Sequence, residues 1–434
     1  MLSRVALTCA RRLTQSTAAS IQQQHQQPRA LLSMGASAAR AAAGAGSSKQ
    51  QAYVSPFDER PQLTDEHRIF RDAARRFFET EVAPHHAKWE QDGMVSREVW
   101  EKAGAAGLLG TTIPVEYGGG GGDAFHAAIA VEEQLRLQLS GPGFSLHSDI
   151  IIPYILHYGS EEQKQKWIPL MCQGKAISAI GMSEPSAGSD LQGIKTTAVR
   201  DGDDYVINGS KIFISNGQMA DIIVLVAKTD PSKGAHGTSL ILVETDRPGF
   251  QRGRNLKKLG LKAQDTSELF FDNVRVPASN LLGKENHGFK YLMQELGTER
   301  LVIGVLSQAS AEGVFADTVK YVNERQAFGK SIASFQNTKF KLAEMKTQLS
   351  VGRVFIDRCL ELQNQGKLDP VAAAIAKLHA GDMLAKITDE CLQLHGGYGF
   401  MWEYTAARAY ADARVQRIYG GTSEIMKDII SRTL

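Results

Sequence analysis

Two short stretches of this 434-residue chain hold the residues best suited to chemistry: Glu299 in Glu295-Leu-Gly-Thr-Glu-Arg300, and the glycine pair in Ile418-Tyr-Gly-Gly-Thr-Ser-Glu424. The spacing predicts a helix from about Gly288 to Tyr321, on which Phe289, Leu292, Leu296, Ile303 and Leu306 share one face. Glu299 lies on that face, three residues after Leu296 and four before Ile303. A carboxylate there must be paired, protonated or at work, because removing the partner of a buried charge costs about 3–5 kcal/mol. Arg300 points about a quarter-turn away and is a poor direct partner. The pattern alone leaves two readings: a general base, or a boundary carboxylate that reaches solvent.

Other segments carry groups that suit a polar or planar ligand. Glu184-Pro-Ser-Ala-Gly-Ser-Asp190 offers small residues, two hydroxyls and two free carboxylates, which suits either a phosphate-facing loop or a capped turn. Phe213-Ile-Ser-Asn-Gly217 ends a strand with an aromatic beside hydroxyl and amide groups, which fits a ring wall or a strand-end turn. Arg325, in Asn323-Glu-Arg-Gln-Ala-Phe-Gly-Lys330, sits at a helix break. There it is either a bidentate phosphate partner or a solvated helix end. Gln393-Leu-His-Gly-Gly-Tyr-Gly399 presents an amide and bare backbone after an apolar helix. Its His395 has no partner ligands at metal spacing.

The elements that must position these residues change period along the chain. From Leu63 to about Cys172 the pattern is helical, with Thr64 as an N-cap and further helices over Trp100–Leu109, Ala124–Leu139 and Glu161–Met171. Gly118–Gly122 lacks the Lys-Ser/Thr of a phosphate loop and reads as a turn. Strand-like runs follow at Thr196–Arg200, Tyr205–Ile207, Lys211–Ser215, Ile222–Lys228, Ser239–Glu244 and Leu269–Val276. Asn208-Gly209 predicts a hairpin turn. Long amphipathic helices return after Asn286, broken at Gly396-Gly397 and Gly420-Gly421. The expected fold class is α+β, with no alternating βα units of a nucleotide-binding Rossmann sheet. The expected segments are 1–50 outside the fold, 60–178 helical, 179–285 a β-domain and 286–434 a helical domain that includes a four-helix bundle.

The overall charge of +2 conceals two regions. Residues 1–57 carry six Lys/Arg and no acid, leaving 43 Lys/Arg against 47 Asp/Glu in the rest, a mildly acidic body. Such a body does not read as a nucleic-acid binder. Residues 1–50, with Arg4, Arg11, Arg12, Arg29 and Arg40 among Ser, Ala and Gln, have the makeup of a mitochondrial transit peptide, or of a low-complexity tail. No apolar run approaches the ~18 residues of a membrane-spanning helix. Cys172, Cys359 and Cys391 are far apart and odd in number, as expected of reduced structural thiols.

Taken in order, these motifs resemble those of the acyl-CoA dehydrogenase family from about residue 60 to the end. The match rests on Ser183-Glu-Pro-Ser-Ala-Gly-Ser-Asp190, Arg325-Gln-Ala-Phe-Gly329, Gln393-Leu-His-Gly-Gly-Tyr-Gly399 and Tyr419-Gly-Gly-Thr-Ser-Glu424, and on the helix–β–helix layout. The resemblance implies FAD bound between subunits of a homotetramer in the mitochondrial matrix. It implies oxidation of an acyl-CoA thioester to its trans-2-enoyl form, with electrons passed to electron-transfer flavoprotein. Carried over by position, Met182, Ser183, Phe213 and Ser215 contact the flavin side. Arg325, Phe328, Gln336, Gln393, Gly396 and Gly397 hold the ADP part from a neighbouring subunit. Thr422 and Glu424 touch the cofactor near the active site, and Ser189 and Arg300 meet the CoA ester. Phe213 stands where many members have Trp, so an aromatic wall remains without its N–H donor.

Gly420 is the departure with most consequence. Most straight-chain members of the family place the catalytic Glu there, whereas Glu299 occupies the position used by the long-chain and isovaleryl branches. Trp402 and Tyr419-Gly-Gly-Thr422 most resemble the long-chain branch. Three other readings stay open on the same motifs: an isovaleryl or branched-chain enzyme, an acyl-CoA oxidase, and a non-catalytic assembly factor.

Overall fold

The structure, a computed structural model, describes residues 59–434. The expected transit segment and Cys9 lie outside the described residues. The helical N-terminal part opens with α1 (Asp65–Phe77), started by a capping box in which Thr64 Oγ1 accepts the His67 N–H and the His67 ring accepts the Thr64 N–H. It continues through α2 (Ala83–Asp92), α3 (Arg97–Ala105) and α4 (Ala124–Arg136). A π-helical turn, Leu146–Ile151, then leads into α5 (Ile152–Tyr158) and α6 (Glu161–Cys172). The π turn and α5 have no counterpart in the sequence reading. Their run of Ile and Tyr lacks the polar face that marks a surface helix, since Ile151, Ile152, Tyr154 and Ile155 are all fully buried.

An antiparallel-dominated sheet follows, built from β1 (Ser178–Gly181), β2 (Thr197–Asp201), β3 (Asp204–Ser215), β4 (Ile222–Lys228), β5 (Thr238–Glu244), β6 (Phe250–Asn255), β7 (Thr266–Pro277) and β8 (Leu281–Leu282). The strand order is β6-β7-β3-β2-β4-β5-β8, with β1 parallel to β4. The expected hairpin at Asn208-Gly209 does not form. Both residues lie inside one long strand, where Asn208 pairs with Thr197 and the register with β7 shifts between Ile207 and Gly209. The tight turn is Gly202-Asp203, between the paired Asp201 and Asp204. Gly209 serves a close approach instead, since a Cβ there would lie 2.4 Å from Thr196 Oγ1.

The C-terminal part begins with the 37-residue α7 (Gly288–Glu324), which matches the expected helix. A small hairpin of β9 (Gln326–Ala327) and β10 (Lys330–Ser331) separates it from α8 (Gln336–Asn364) and α9 (Pro370–His395). The chain ends with α10 (Thr405–Ala413) and α11 (Ser423–Ser431). Helix α7 packs on α4 and α9 and touches α5, so one helix spans the junction between the N-terminal helices and the bundle. Cys172, Cys359 and Cys391 are free and buried, their thiol pKa values raised by burial. No described helix is long and apolar enough to cross a membrane.

Candidate active site

Glu299 sits on the inner face of α7, 6% exposed. The fully buried Tyr154 of α5 donates its hydroxyl to Glu299 Oε1 at 2.7 Å. One turn earlier on α7, Glu295 accepts from Tyr158 at 2.7 Å and pairs with the His157 ring at 2.8 Å. Residues 154, 157 and 158 therefore address two carboxylates four residues apart, a match of helical periods. Burial raises the Glu299 carboxyl to about 7; the Tyr154 hydrogen bond opposes the shift, and the nearby Glu295 adds to it. A carboxyl titrating there is matched to proton abstraction near neutral pH.

Glu299 opens onto a cavity of about 290 Å³. Met182, Ser183, Phe213, Ser215 and Gly420, all expected at the site, share its wall. Phe213 is 67% exposed and holds φ at +60°, an unfavourable conformation for a bulky side chain that points to a functional constraint. Behind this wall, the buried Lys211 donates to the Met182 carbonyl at 3.0 Å and to Glu184 at 2.8 Å. Glu184 also accepts from the Lys195 and Thr196 amides, so it is not the free carboxylate that the sequence suggested. Burial lowers the Lys211 pKa to about 8, and Glu184 works against that shift.

Gly420 has φ +60°, and a Cβ there would lie 2.3 Å from Ile303 Cδ1, one turn beyond Glu299. Lys377, 2% exposed, holds this loop by donating to the carbonyls of Gln416 and Gly421. Among the described residues the Gly420 amide donates to no backbone acceptor, which leaves it available to a ligand.

The remaining expected residues lie elsewhere. Ser189 is exposed, and its neighbour Gly188 takes the place on the wall. Arg300 is 8% exposed but does not line the cavity, because consecutive helical residues diverge by about 100°. Neither side chain lines the cavity onto which Glu299 opens. Thr422 caps α11 by accepting the Ile425 amide, and Glu424 is exposed on that helix. Arg325, Phe328, Gln336, Gln393, Gly396 and Gly397 are exposed outside the cavity, with the Arg325 guanidinium 5.5 Å from the Tyr398 ring centre.

Sequence reasoning missed Tyr154, Lys211 and Lys377. It also missed the clustering of His67, Asp123 and His126, whose ligand atoms lie within 4.8 Å of one another. Each histidine Nδ1 there lies within hydrogen-bond reach of a cap amide, Thr64 at 3.1 Å and Asp123 at 3.2 Å. The cluster is accounted for by the caps of α1 and α4.

Comparison with known proteins shows the family. The acyl-CoA dehydrogenase N-terminal domain matches residues 64–175, the middle domain 179–274 and the C-terminal domain 286–434. The chain belongs to the acyl-CoA dehydrogenase family, and it is an oxidoreductase. Among similar proteins, the mitochondrial long-chain specific acyl-CoA dehydrogenase of Sus scrofa is 55% identical, over 86% of this chain and 87% of the relative. An acyl-CoA dehydrogenase structure from Geobacillus kaustophilus is 48% identical with a TM-score of 0.84, covering 86% of this chain and 99% of that one. A Mycobacterium smegmatis glutaryl-CoA dehydrogenase in complex with FADH2 is 31% identical with a TM-score of 0.81, covering 86% and 95%.

Proposed function

We propose that this protein is an FAD-dependent acyl-CoA dehydrogenase of fatty-acid β-oxidation. In this reading it acts on long chains in the mitochondrial matrix, with Glu299 as its catalytic base and electron-transfer flavoprotein as its electron acceptor. The observation that carries the reading is the buried Glu299 carboxyl, held by Tyr154 and facing a cavity across from the unengaged Gly420 amide. The names of the mammalian relatives support the chain-length class and the compartment.

The residues present fit the cofactor. Met182, Ser183, Phe213 and Ser215 form a wall with an exposed aromatic face for the flavin. Arg325, Phe328, Gln336, Gln393, Gly396 and Gly397 would hold the ADP part for a neighbouring subunit. In support, Phe328 is 95% exposed and a Cβ at Gly396 or Gly397 would meet nothing within 4 Å, so backbone is open to a close approach. Thr422 and Glu424 would complete the cofactor contacts. A homotetramer brings the two groups together. FAD, when bound, would supply the two-electron oxidising power that the loss of the β-hydrogen requires.

The chain's own part is proton transfer and polarisation. The Gly420 N–H donates to the thioester carbonyl and stabilises the enolate charge that develops there. Tyr154 holds Glu299 Oε1, leaving Oε2 to take the α-proton. Substrate excludes water from the cavity and favours the neutral carboxyl that results. Glu299→Gln should give a folded, yellow protein that binds acyl-CoA and barely bleaches its flavin; normal bleaching would refute the assignment of the base. Initial rates across an acyl-CoA series, with isovaleryl-CoA included, test the chain-length class.

A further inference from the structure

Two polar groups near the cavity have no protein partner. Thr111 is 1% exposed, and its Oγ1 makes no hydrogen bond. Asp149, half-buried in the π-helical turn before α5, has its carboxyl raised to about 7 by desolvation, with no cation or donor contributing. Both residues border a void of about 10 Å³, together with Gln134 and Ser145. That volume is on the order of one water. Gln134 and Ser145 also line the Glu299 cavity, so the void adjoins it. The Gln134 amide nitrogen is committed to the carbonyls of Leu139 and Pro142.

Asp149 also lines a cavity of about 420 Å³ on the neighbouring stripe of α7, and Val302 lines both that cavity and the Glu299 cavity. The wall there is mixed, with Ile113, Val131, Leu301 and Val305 on the aliphatic side and His157, Glu295 and Thr298 among its polar residues. A buried hydroxyl left unpaired, as at Thr111, costs about 1–3 kcal/mol. A chain that keeps it has a use for it, or fills the void with water.

We propose that Thr111 and Asp149 form a polar subsite for a hydroxyl group on the distal part of the acyl chain, so that the enzyme accepts chain-hydroxylated acyl-CoAs as substrates. The Asp149 carboxyl accepts in either state and also donates when protonated, as a hydroxyl requires, and Thr111 supplies a second partner. An unsubstituted chain leaves the resting water in place. A hydroxylated chain displaces that water and reproduces its hydrogen bonds. The inference rests on the reading of the Glu299 cavity as the acyl-CoA site.

The test uses the FAD-loaded enzyme with an artificial electron acceptor. It compares hexadecanoyl-CoA with positional isomers of hydroxyhexadecanoyl-CoA that carry the hydroxyl along the distal chain. For one position, kcat/KM should equal or exceed that of the unsubstituted chain. In Asp149→Leu the hydroxylated-to-unsubstituted ratio should fall about tenfold at that position, the worth of one good hydrogen bond, through KM rather than kcat. Asp149→Asn should restore much of the ratio, and Thr111→Val should lower it by a smaller factor. If Asp149→Leu does not fold, Thr111→Val decides. Wild-type activity on hexadecanoyl-CoA, with every hydroxylated isomer slower and the ratio unmoved by these variants, would overturn the subsite. A wild type inactive on every acyl-CoA would instead overturn the function on which the subsite rests.

Discussion

A Cβ on Gly420 would lie 2.3 Å from Cδ1 of Ile303, the residue one helical turn beyond Glu299. The loop and the helix that could each carry the base therefore meet at one point. With Glu299 on α7, the loop is reduced to backbone, and its positive φ of +60° suits glycine. Gly420→Ala should cost about 1 kcal/mol or more of stability from backbone strain alone. It should also lower kcat as the amide shifts from the thioester carbonyl. Thermal melting and steady-state rates read the two effects separately, and an Ala variant with wild-type kcat would remove the amide from the mechanism.

Tyr154 should tune the Glu299 carboxyl. Its hydroxyl lowers the Glu299 pKa against the burial that raises it. Tyr154→Phe removes that donor while keeping the ring, so the acid limb of the kcat/KM profile should move above about 7. The shift should be roughly one pH unit, in line with the ~1 kcal/mol of a typical hydrogen bond. An unmoved profile would mean that another group sets the limb.

Glu299 also links stability to pH. Its native pKa of about 7 lies above the ordinary carboxyl value of 4.5, so the native state holds the proton more tightly than the unfolded chain. The stability associated with that proton is fully present below 4.5, is lost as pH rises towards 7, and stays lost above it. Glu299→Gln, neutral throughout, should be spared this loss. Between about pH 5 and pH 8 the variant should gain up to ~3 kcal/mol relative to wild type. Denaturant midpoints at the two pH values measure the difference, and parallel curves would mean that Glu299 is charged at low pH.

Lys211 should matter to the cofactor although it lines no wall. Lys211→Met leaves Glu184 buried without its cation and the Met182 carbonyl without a donor. The loss of stability should be about 3–5 kcal/mol. Retention of flavin through dialysis should fall as well. The double variant Lys211→Met with Glu184→Gln should recover part of the stability, and retention that follows stability alone would limit Lys211 to a folding role.

The sequence by itself determined the order helices–sheet–helices, the α7 helix and the place of Glu299 on its apolar face. These depend on local periodicity, which residues three or four apart can reveal. The family motifs placed Met182, Ser183, Phe213, Ser215, Glu299 and Gly420 at one site, and the structure brings them onto one wall. Local signals failed where two readings compete over a few residues. Asn208-Gly209 carries the stronger turn signature, yet pairing with β2 and β7 on either side keeps it in the strand and leaves the turn to Gly202-Asp203. Only the tertiary structure decided what surrounds Glu299. Tyr154 lies 145 residues before Glu299 on a helix with no polar face to mark it, and Lys377 reaches the Gly420 loop from α9. A carboxyl's pKa depends on burial and on partners that the chain brings together only by folding, so Glu299 could be located from its spacing, while its raised pKa came from the fold.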